Sequence, residues 1–271
     1  MTLRLGVVGH VEWVTFAHTS VLPGAGGIVH LADPWDQPGG GGATSAVALA
    51  GMGAEVTLFT ALGPDVPAAA ALERHGVRVH AAHRDHPQTR VLAVVDAAGE
   101  RTLFVVGEND HPTADDPLPW EQLADLDGVY FTGQDPRTLV LARRARTLVV
   151  TARRFGSLVA SGVHADALVG SGSDPGERFD LDRLAVPPSH VIVTAGAAGG
   201  TVDGRPYPAA APPGPVVDTY GAGDTFVAGV LFGLASGRPV DETVAFAAGR
   251  AAAALTHAGA LPPEPHVDAA C

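Results

Sequence analysis

The stretch Val216-Val-Asp-Thr-Tyr-Gly-Ala-Gly-Asp-Thr-Phe226 holds the residues best suited to chemistry. An apolar pair leads into a turn, two glycines flank Ala222, and Asp224 falls in the first turn of a helix with apolar Phe226, Val230, Leu231 and Leu234. The first amides of a helix lack internal partners and carry the positive end of its dipole. Glycines at 221 and 223 let a ligand approach that backbone without meeting a Cβ. The result is an anion hole that needs no lysine. A carboxylate in it, Asp224, can accept the proton of an incoming hydroxyl. An anion-stabilising turn beside a base is what phosphoryl transfer to an alcohol requires. The plain alternative is an aspartate capping a glycine-rich helix.

Other chemistries are excluded by what is missing. All 17 basic residues are Arg, so there is no lysine for a P-loop, a Schiff base or a protein-kinase strand. The only cysteine is Cys271, so no internal disulfide or thiol zinc cluster is available, which fits a reducing cytoplasm. The 12 histidines are scattered without metal-ligand spacing and read as surface residues. Gly39–Gly42 does not follow the first strand directly and lacks the full dinucleotide spacing. A net charge of −12 argues against a nucleic-acid surface. Arg143, Arg144, Arg146, Arg153 and Arg154 read as a solvated helix face, with contact to nucleotide phosphates as the alternative. Trp13, Trp35 and Trp120 read as packing residues, the first two also placed to stack on a sugar or base if they lie on a lid.

The elements that must position Asp224 follow from the hydrophobic pattern. With 271 residues, 46% hydrophobic and 17% charged, the chain can bury a large core. Leu3–Gly9 reads as a buried parallel strand rather than a signal peptide, and no apolar run is long enough for a membrane span. Residues 11–33 read as two short strands leaving the main sheet. Ala43–Met52 and Val66–His75 are predicted helices around a strand at Glu55–Leu62, followed by a strand at Val77–Ala82. Arg90–Asp96 and Arg101–Val106 form a hairpin around Ala97–Glu100 that pairs with the early excursion. Beyond a Pro/Asp-rich linker, strands are expected at Gly128–Thr132, Thr147–Thr151, Ala167–Val169 and His190–Ala195. Helices are expected at Pro136–Arg146, Leu181–Ala185, Gly221–Ser236 and Asp241–His257. Such alternation predicts a mostly parallel sheet covered on both faces.

The 218–226 string resembles the C-terminal signature of the ribokinase-like, PfkB-type, carbohydrate kinases. Gly39–Val56, continuing to Leu62-Gly-Pro-Asp65, resembles the N-terminal signature. Thr89–Val106 resembles the lid strands, Val191–Gly199 the nucleotide-holding strand and turn, and Ala258-Gly-Ala260 the turn near the adenine and cation site. The resemblance spans nearly the whole chain in the family's order. It implies one ribokinase-like domain over 1–271: a three-layer α/β core with a mostly parallel central sheet and a small β-sheet lid at about 11–33 and 89–107. It also implies phosphorylation of a hydroxymethyl group of a sugar or sugar-like acceptor, with ATP and Mg2+ as cofactors and room for K+. By that resemblance Asp224 is the base, and the amides of Gly221, Ala222 and Gly223 hold the moving phosphoryl group. Ser171, Thr194, Gly196, Gly199 and Gly223 line the nucleotide. Gly40 and Gly41 lie at the acceptor. Asp218 holds a monovalent cation. The lid offers a homodimer contact, as exposed strand edges gain from pairing.

Several positions depart from the pattern. The magnesium-organising Asn-x-x-Glu stands here as Ser171-Gly-Ser-Asp174, which leaves Asp174 either reaching magnesium through water or serving as a plain loop acid. The two sugar-gripping positions after the first strand are Glu12 and Val14. A Lys and an Asn of the glycine loop are Gly41 and Thr44, and the mid-chain acid is Gln134. Glu12 is left as a hydroxyl or amine binder or a solvated lid residue, and Thr194 as a nucleotide contact or a strand end. These losses point to a less hydroxylated acceptor. A nucleoside kinase of the same fold, or an idle sugar- or nucleotide-binding regulator, stands beside the sugar-kinase reading.

Overall fold

The computed structural model describes residues 2–97 and 101–262. The expected hairpin residues Gly99 and Glu100, and Cys271, lie outside them.

Nineteen labelled elements follow in order. The first half comprises β1 (Arg4–Val8), β2 (Glu12–His18), β3 (Ala32–Gly39), α1 (Gly40–Gly51), β4 (Glu55–Leu62), α2 (Ala68–Arg74), β5 (Val77–His83), β6 (Arg90–Val95) and β7 (Arg101–Val106). The second half comprises β8 (Gly128–Phe131), α3 (Pro136–Ala142), β9 (Thr147–Thr151), α4 (Phe155–Ser161), β10 (Ala167–Ser171), β11 (His190–Thr194), β12 (Gly200–Val202), β13 (Arg205–Tyr207), α5 (Ala222–Ala235) and α6 (Val240–Ala254). Short 3-10 turns fill several connections, among them Trp120–Asp125 and Ala152–Arg154.

The large sheet runs β13-β12-β11-β10-β9-β8-β1-β4-β5. All its pairings are parallel except β11–β12 and β12–β13. Its strands are continuous apolar runs because both faces are covered. Successive residues of β9 show this. Val149 joins the layer of α1, α5 and α6, whereas Leu148 and Val150 join the layer of α3 and α4 on the other face. The ribokinase-like three-layer core expected from the sequence is therefore present.

A second sheet, ordered β3-β2-β6-β7, forms the lid. Its middle pair, β2 and β6, is parallel and its outer pairs are antiparallel. The first lid strand and the hairpin sit where expected. The second strand, β3, starts at Ala32 and runs to Gly39, later than the expected 11–33. It contains Pro34 and Pro38, but β3 is an edge strand, where a missing N–H costs little. Its last residue passes directly into α1, so lid and glycine loop are one continuous segment.

Other differences are local. The expected helix at Leu181–Ala185 is only a turn over Leu181–Arg183, cut short before Pro187 and Pro188. α3 stops at Ala142, and the Arg143 guanidinium folds back onto the carbonyls of Ala145 and Arg146. The β12–β13 hairpin and α4 were not anticipated. Asp203-Gly204, both at positive φ, is the hairpin signal that was there to read. Trp35 stacks on Phe16 at 5.1 Å and Trp120 on Phe59 at 5.5 Å, so both are packing residues. No helix among the described residues is long and apolar enough to cross a membrane.

α5 and α6 pack closely because glycines face the contact. A Cβ on Gly229 would stand 2.7 Å from Ala247 Cα, and one on Gly233 2.7 Å from Thr243 Cγ2. Gly229→Ala must therefore part the two helices, against backbone that cannot give. We expect a loss of about 1–3 kcal/mol in urea unfolding, the range of overpacked cores. An unchanged unfolding midpoint would contradict this packing.

Candidate active site

Parallel α/β sheets place ligands beyond the carboxyl ends of their strands. Here those ends carry His10 after β1, Thr132 after β8, Arg153 and Arg154 after β9, Ser171 at the end of β10 and Thr194 at the end of β11. The N-termini of α1 and α5 close the same space from above. Neither helix start has a side-chain cap. Their glycines set how near they come. A Cβ on Gly41 would lie 3.2 Å from both Asp224 Oδ1 and Thr132 Oγ1. Gly221 sits at φ +74 and faces Thr44, whose Cγ2 would be 2.8 Å from an added Cβ. Ser45 Oγ donates to the Asp224 carbonyl at 3.2 Å and ties the helices together.

Asp224 lines a cleft of about 800 Å³. Burial pushes its carboxyl up to about 6; nearby His10 pulls it down, and the Glu12 carboxylate adds to the rise. Beside this cleft lies a hollow of about 710 Å³ with mostly apolar walls, among them Ala210, Val216, Ala248 and Leu255. Thr194, Gly196, Gly223 and Phe226 line both spaces. The two chambers therefore meet at the start of α5. The space next to Gly223 is open, with nothing within 4 Å of where a Cβ would stand.

Most of the residues singled out from sequence converge here. Glu12, Gly40, Gly41, Ser171, Asp174, Gly221 and Asp224 line the polar chamber; Ala222 and Gly199 line the apolar one. Glu12 is buried at the start of β2, 3.5 Å from His10 Nε2, and is not a solvated lid residue. Gly199, at φ +86, allows a backbone approach in which a Cβ would stand 2.1 Å from the Tyr207 carbonyl. Three candidates lie outside the chambers. Thr44 is buried beneath Gly221, and Gln134 is exposed, its carbonyl accepting from Ser157 Oγ. Asp218 is buried and both its oxygens are engaged: Oδ1 accepts the Tyr220 N–H and Oδ2 the Gly259 N–H, each at 2.9 Å.

Sequence reasoning missed several lining residues. Arg153 and Arg154 are not on a solvated helix face. β9 ends at Thr151, whose hydroxyl accepts the Arg153 N–H, and the following 3-10 turn aims both arginines along the sheet edge. Arg153 pairs with Asp174 and with Glu177, the latter at 3.3 Å. Glu177 was not singled out, yet its Oε2 accepts the Ser171 N–H at 2.7 Å and it lines the chamber. From the lid, Arg101 lies over the Tyr220 ring at 5.6 Å and donates to Thr219 Oγ1 at 2.6 Å. His10 and His111, read as surface histidines, are buried and meet edge to face at 4.9 Å. Among the described residues no three His, Cys, Asp or Glu side chains converge as a metal cluster.

The model of the pfkB family carbohydrate kinases matches residues 3–157 and 182–267. Ribokinase of Bacillus subtilis is 28% identical over 78% of this chain and 78% of its own length. The ATP-dependent ribose-1-phosphate kinase of Halopiger xanaduensis is 28% identical over 94% of this chain and 92% of its own. The structure of Arabidopsis thaliana ribokinase complexed with ribose and ATP superposes with a TM-score of 0.73 at 20% identity, covering 97% of this chain and 96% of that one. A two-chambered cleft with a carboxylate where the chambers join is thus carried on a chain that the family model matches along most of its length, and the protein belongs to the pfkB family of carbohydrate kinases, phosphotransferases that act on an alcohol group.

Proposed function

We propose that this chain moves the γ-phosphoryl group of ATP onto a hydroxymethyl group of a sugar or sugar-like acceptor, with Asp224 as general base. One observation carries the reading: Asp224 faces the polar chamber one residue after Gly223, which lines both chambers. The apolar hollow suits a nucleobase, because its walls are alanine, valine and leucine. Its opening at Thr194, Gly196 and Gly223 leads phosphates toward the α5 start. The uncapped amides of Gly221, Ala222 and Gly223 then face the transferring group, where charge develops. Glu12, Gly40 and Gly41 supply polar and backbone contacts for the acceptor. Asp224 takes the hydroxyl proton as the oxygen attacks. The names of the relatives extend to ribose and ribose 1-phosphate, which supports a sugar over a nucleoside.

Mg2+ bound to ATP would neutralise phosphate charge. Beside Ser171, Glu177 and Asp174 line the chamber, and both are held by Arg153, so contact through water fits them better than direct ligation. Asp218 fits a monovalent cation. It is a buried carboxylate, and no Arg pairs with it among the described residues. The lid edge is a homodimer contact in this reading. Leu103, Phe104, Val105 and Val106 of edge strand β7 are all exposed. Phe104→Asp should shift the protein toward monomer in sedimentation velocity, and a wild-type monomer at micromolar concentration removes the proposal.

The base assignment makes a kinetic prediction. Asp224→Asn should lower kcat by about 10²–10⁴-fold with its acceptor, measured as ADP release. Wild-type kcat/KM should fall on acidification with a midpoint near pH 6, since only the ionised carboxylate accepts the proton. Wild-type turnover by a folded Asp224→Asn protein defeats the mechanism. Failure to release ADP with any sugar, sugar phosphate or nucleoside, alongside clear ATP binding, supports an idle binding protein instead.

The same burial makes a stability prediction. The folded carboxyl titrates near 6 and the unfolded one near 3.8, so the folded state binds more protons between those values. Stability therefore declines as pH rises through that window, and the ionised Asp224 destabilises the protein at pH 7. Asp224→Asn should raise Tm at pH 7.5, and that advantage should shrink toward pH 4. A lower Tm for the variant at pH 7.5 would place the carboxylate in a stabilising contact and refute the account.

A further inference from the structure

Arg154 brings into the polar chamber a positive charge that the protein leaves unpaired. Its Nε donates to the Thr132 carbonyl at 2.9 Å, and an NH2 group lies 2.9 Å from His111 Nε2. No carboxylate pairs with it among the described residues. Its neighbours differ: Arg153 holds Asp174 and Glu177, and Arg143 holds Asp166. Because a guanidinium only donates, His111 Nε2 must accept, which places the ring proton on Nδ1. That Nδ1 is buried with no partner. Burial pushes His111 down to about 2, so the ring is neutral and supplies no countercharge. Beyond His111 the row continues to His10, whose Nε2 lies 3.5 Å from the Glu12 carboxylate.

The lid repeats the pattern from the opposite side. Arg101 also lines the chamber, and its partners are a hydroxyl and a ring, Thr219 and Tyr220. Arg101 is exposed at the chamber mouth, whereas Arg154 is half-buried, and a guanidinium drawn out of bulk water without a counter-ion is costly unless a ligand supplies the anion. Its planar fork matches phosphate and carboxylate oxygens. Position decides which ligand. Arg153 turns toward Ser171 and Glu177, on the nucleotide side. Arg154 turns toward Thr132 and His111, beside Gly41 and His10, on the acceptor side.

We propose that the acceptor is itself an anion, a sugar carrying a phosphate or carboxylate group, held by Arg154 and covered by Arg101. This rests on the kinase reading above and narrows its substrate class. The test is ADP release with matched pairs: ribose and ribose 5-phosphate, fructose and fructose 6-phosphate, glucose and gluconate. The wild-type protein should favour an anionic member over its neutral partner in kcat/KM by about 10–100-fold, the span of a charge-assisted hydrogen bond. The phosphate and carboxylate pairs separate the two sources of negative charge. Arg154→Gln should reduce that preference ratio by about the same factor, and Arg154→Lys should restore part of it. Equal turnover of both members, or a ratio unmoved by Arg154→Gln, overturns the proposal; an equal loss on both assigns the guanidinium to the transferring phosphoryl group. Binding separates this failure from failure of the kinase reading. In Asp224→Asn protein, a sugar phosphate or sugar acid from the panel should raise Tm, and the rise should vanish when Arg154→Gln is added. No rise with any anionic sugar overturns the proposal whatever the turnover shows.

Discussion

The site depends on how Tyr220 fastens the lid to the turn that opens α5. Tyr220 directly precedes Gly221, the left-handed residue that starts α5. Its ring meets Phe16 of the lid edge to face at 5.1 Å, and its hydroxyl accepts the Gly40 N–H at 3.4 Å. Arg101 rests on the same ring. One buried side chain therefore touches the lid, the glycine loop and the α5 turn. Asp218, two residues earlier, locks the turn from the other side by accepting amides from Tyr220 and Gly259. A turn held in this way has its amides oriented before any ligand arrives, which is the condition under which dipoles stabilise a transition state most.

Glycine then sets the distances. Gly41 and Gly221 are small because Asp224, Thr132 and Thr44 occupy the space a side chain would need. Gly42 packs so that a Cβ would stand 2.5 Å from the His10 carbonyl, which presses α1 onto the end of β1. The price of this closeness is an Asp224 carboxylate with little water around it. Its raised proton affinity is the same fact as its usefulness as a base near neutral pH.

Much of this was legible in the sequence, for reasons that can be named. Strands of a doubly covered sheet are unbroken apolar runs, so β4 and β9 can be bounded from their residues alone. The Asp218–Phe226 string places turn, amides and base within nine residues of each other, a local arrangement that spacing reveals. What stayed hidden is non-local. Arg154 follows β9, His111 lies in the linker after β7 and Glu12 opens β2, so only the folded sheets bring them together. His10 and His111 look like two of many polar loop residues until the sheet buries them. β3 was obscured because it contains prolines, and only its edge position makes them compatible with a strand.

The charge distribution shows how an acidic, lysine-free protein can present positive charge to an anionic ligand. A net charge of −12 repels phosphates at a distance, but at physiological ionic strength that repulsion fades beyond about 8 Å. Inside that range the chamber presents helix-start amides and three arginines, Arg101, Arg153 and Arg154. Arginine stays protonated even where burial opposes it, as it does at Arg154, whereas a buried lysine would lose its charge more readily. Arg153 is neutralised by the chamber's own acids, whereas no carboxylate among the described residues pairs with Arg101 or Arg154. The uncompensated positive charge thus lies toward the lid and the acceptor, and the nucleotide side relies on backbone amides and on an arginine already balanced by carboxylates. Under the proposed function, such an arrangement would draw discrimination from the acceptor's charge and leave recognition of the nucleotide to shape and to the α5 turn.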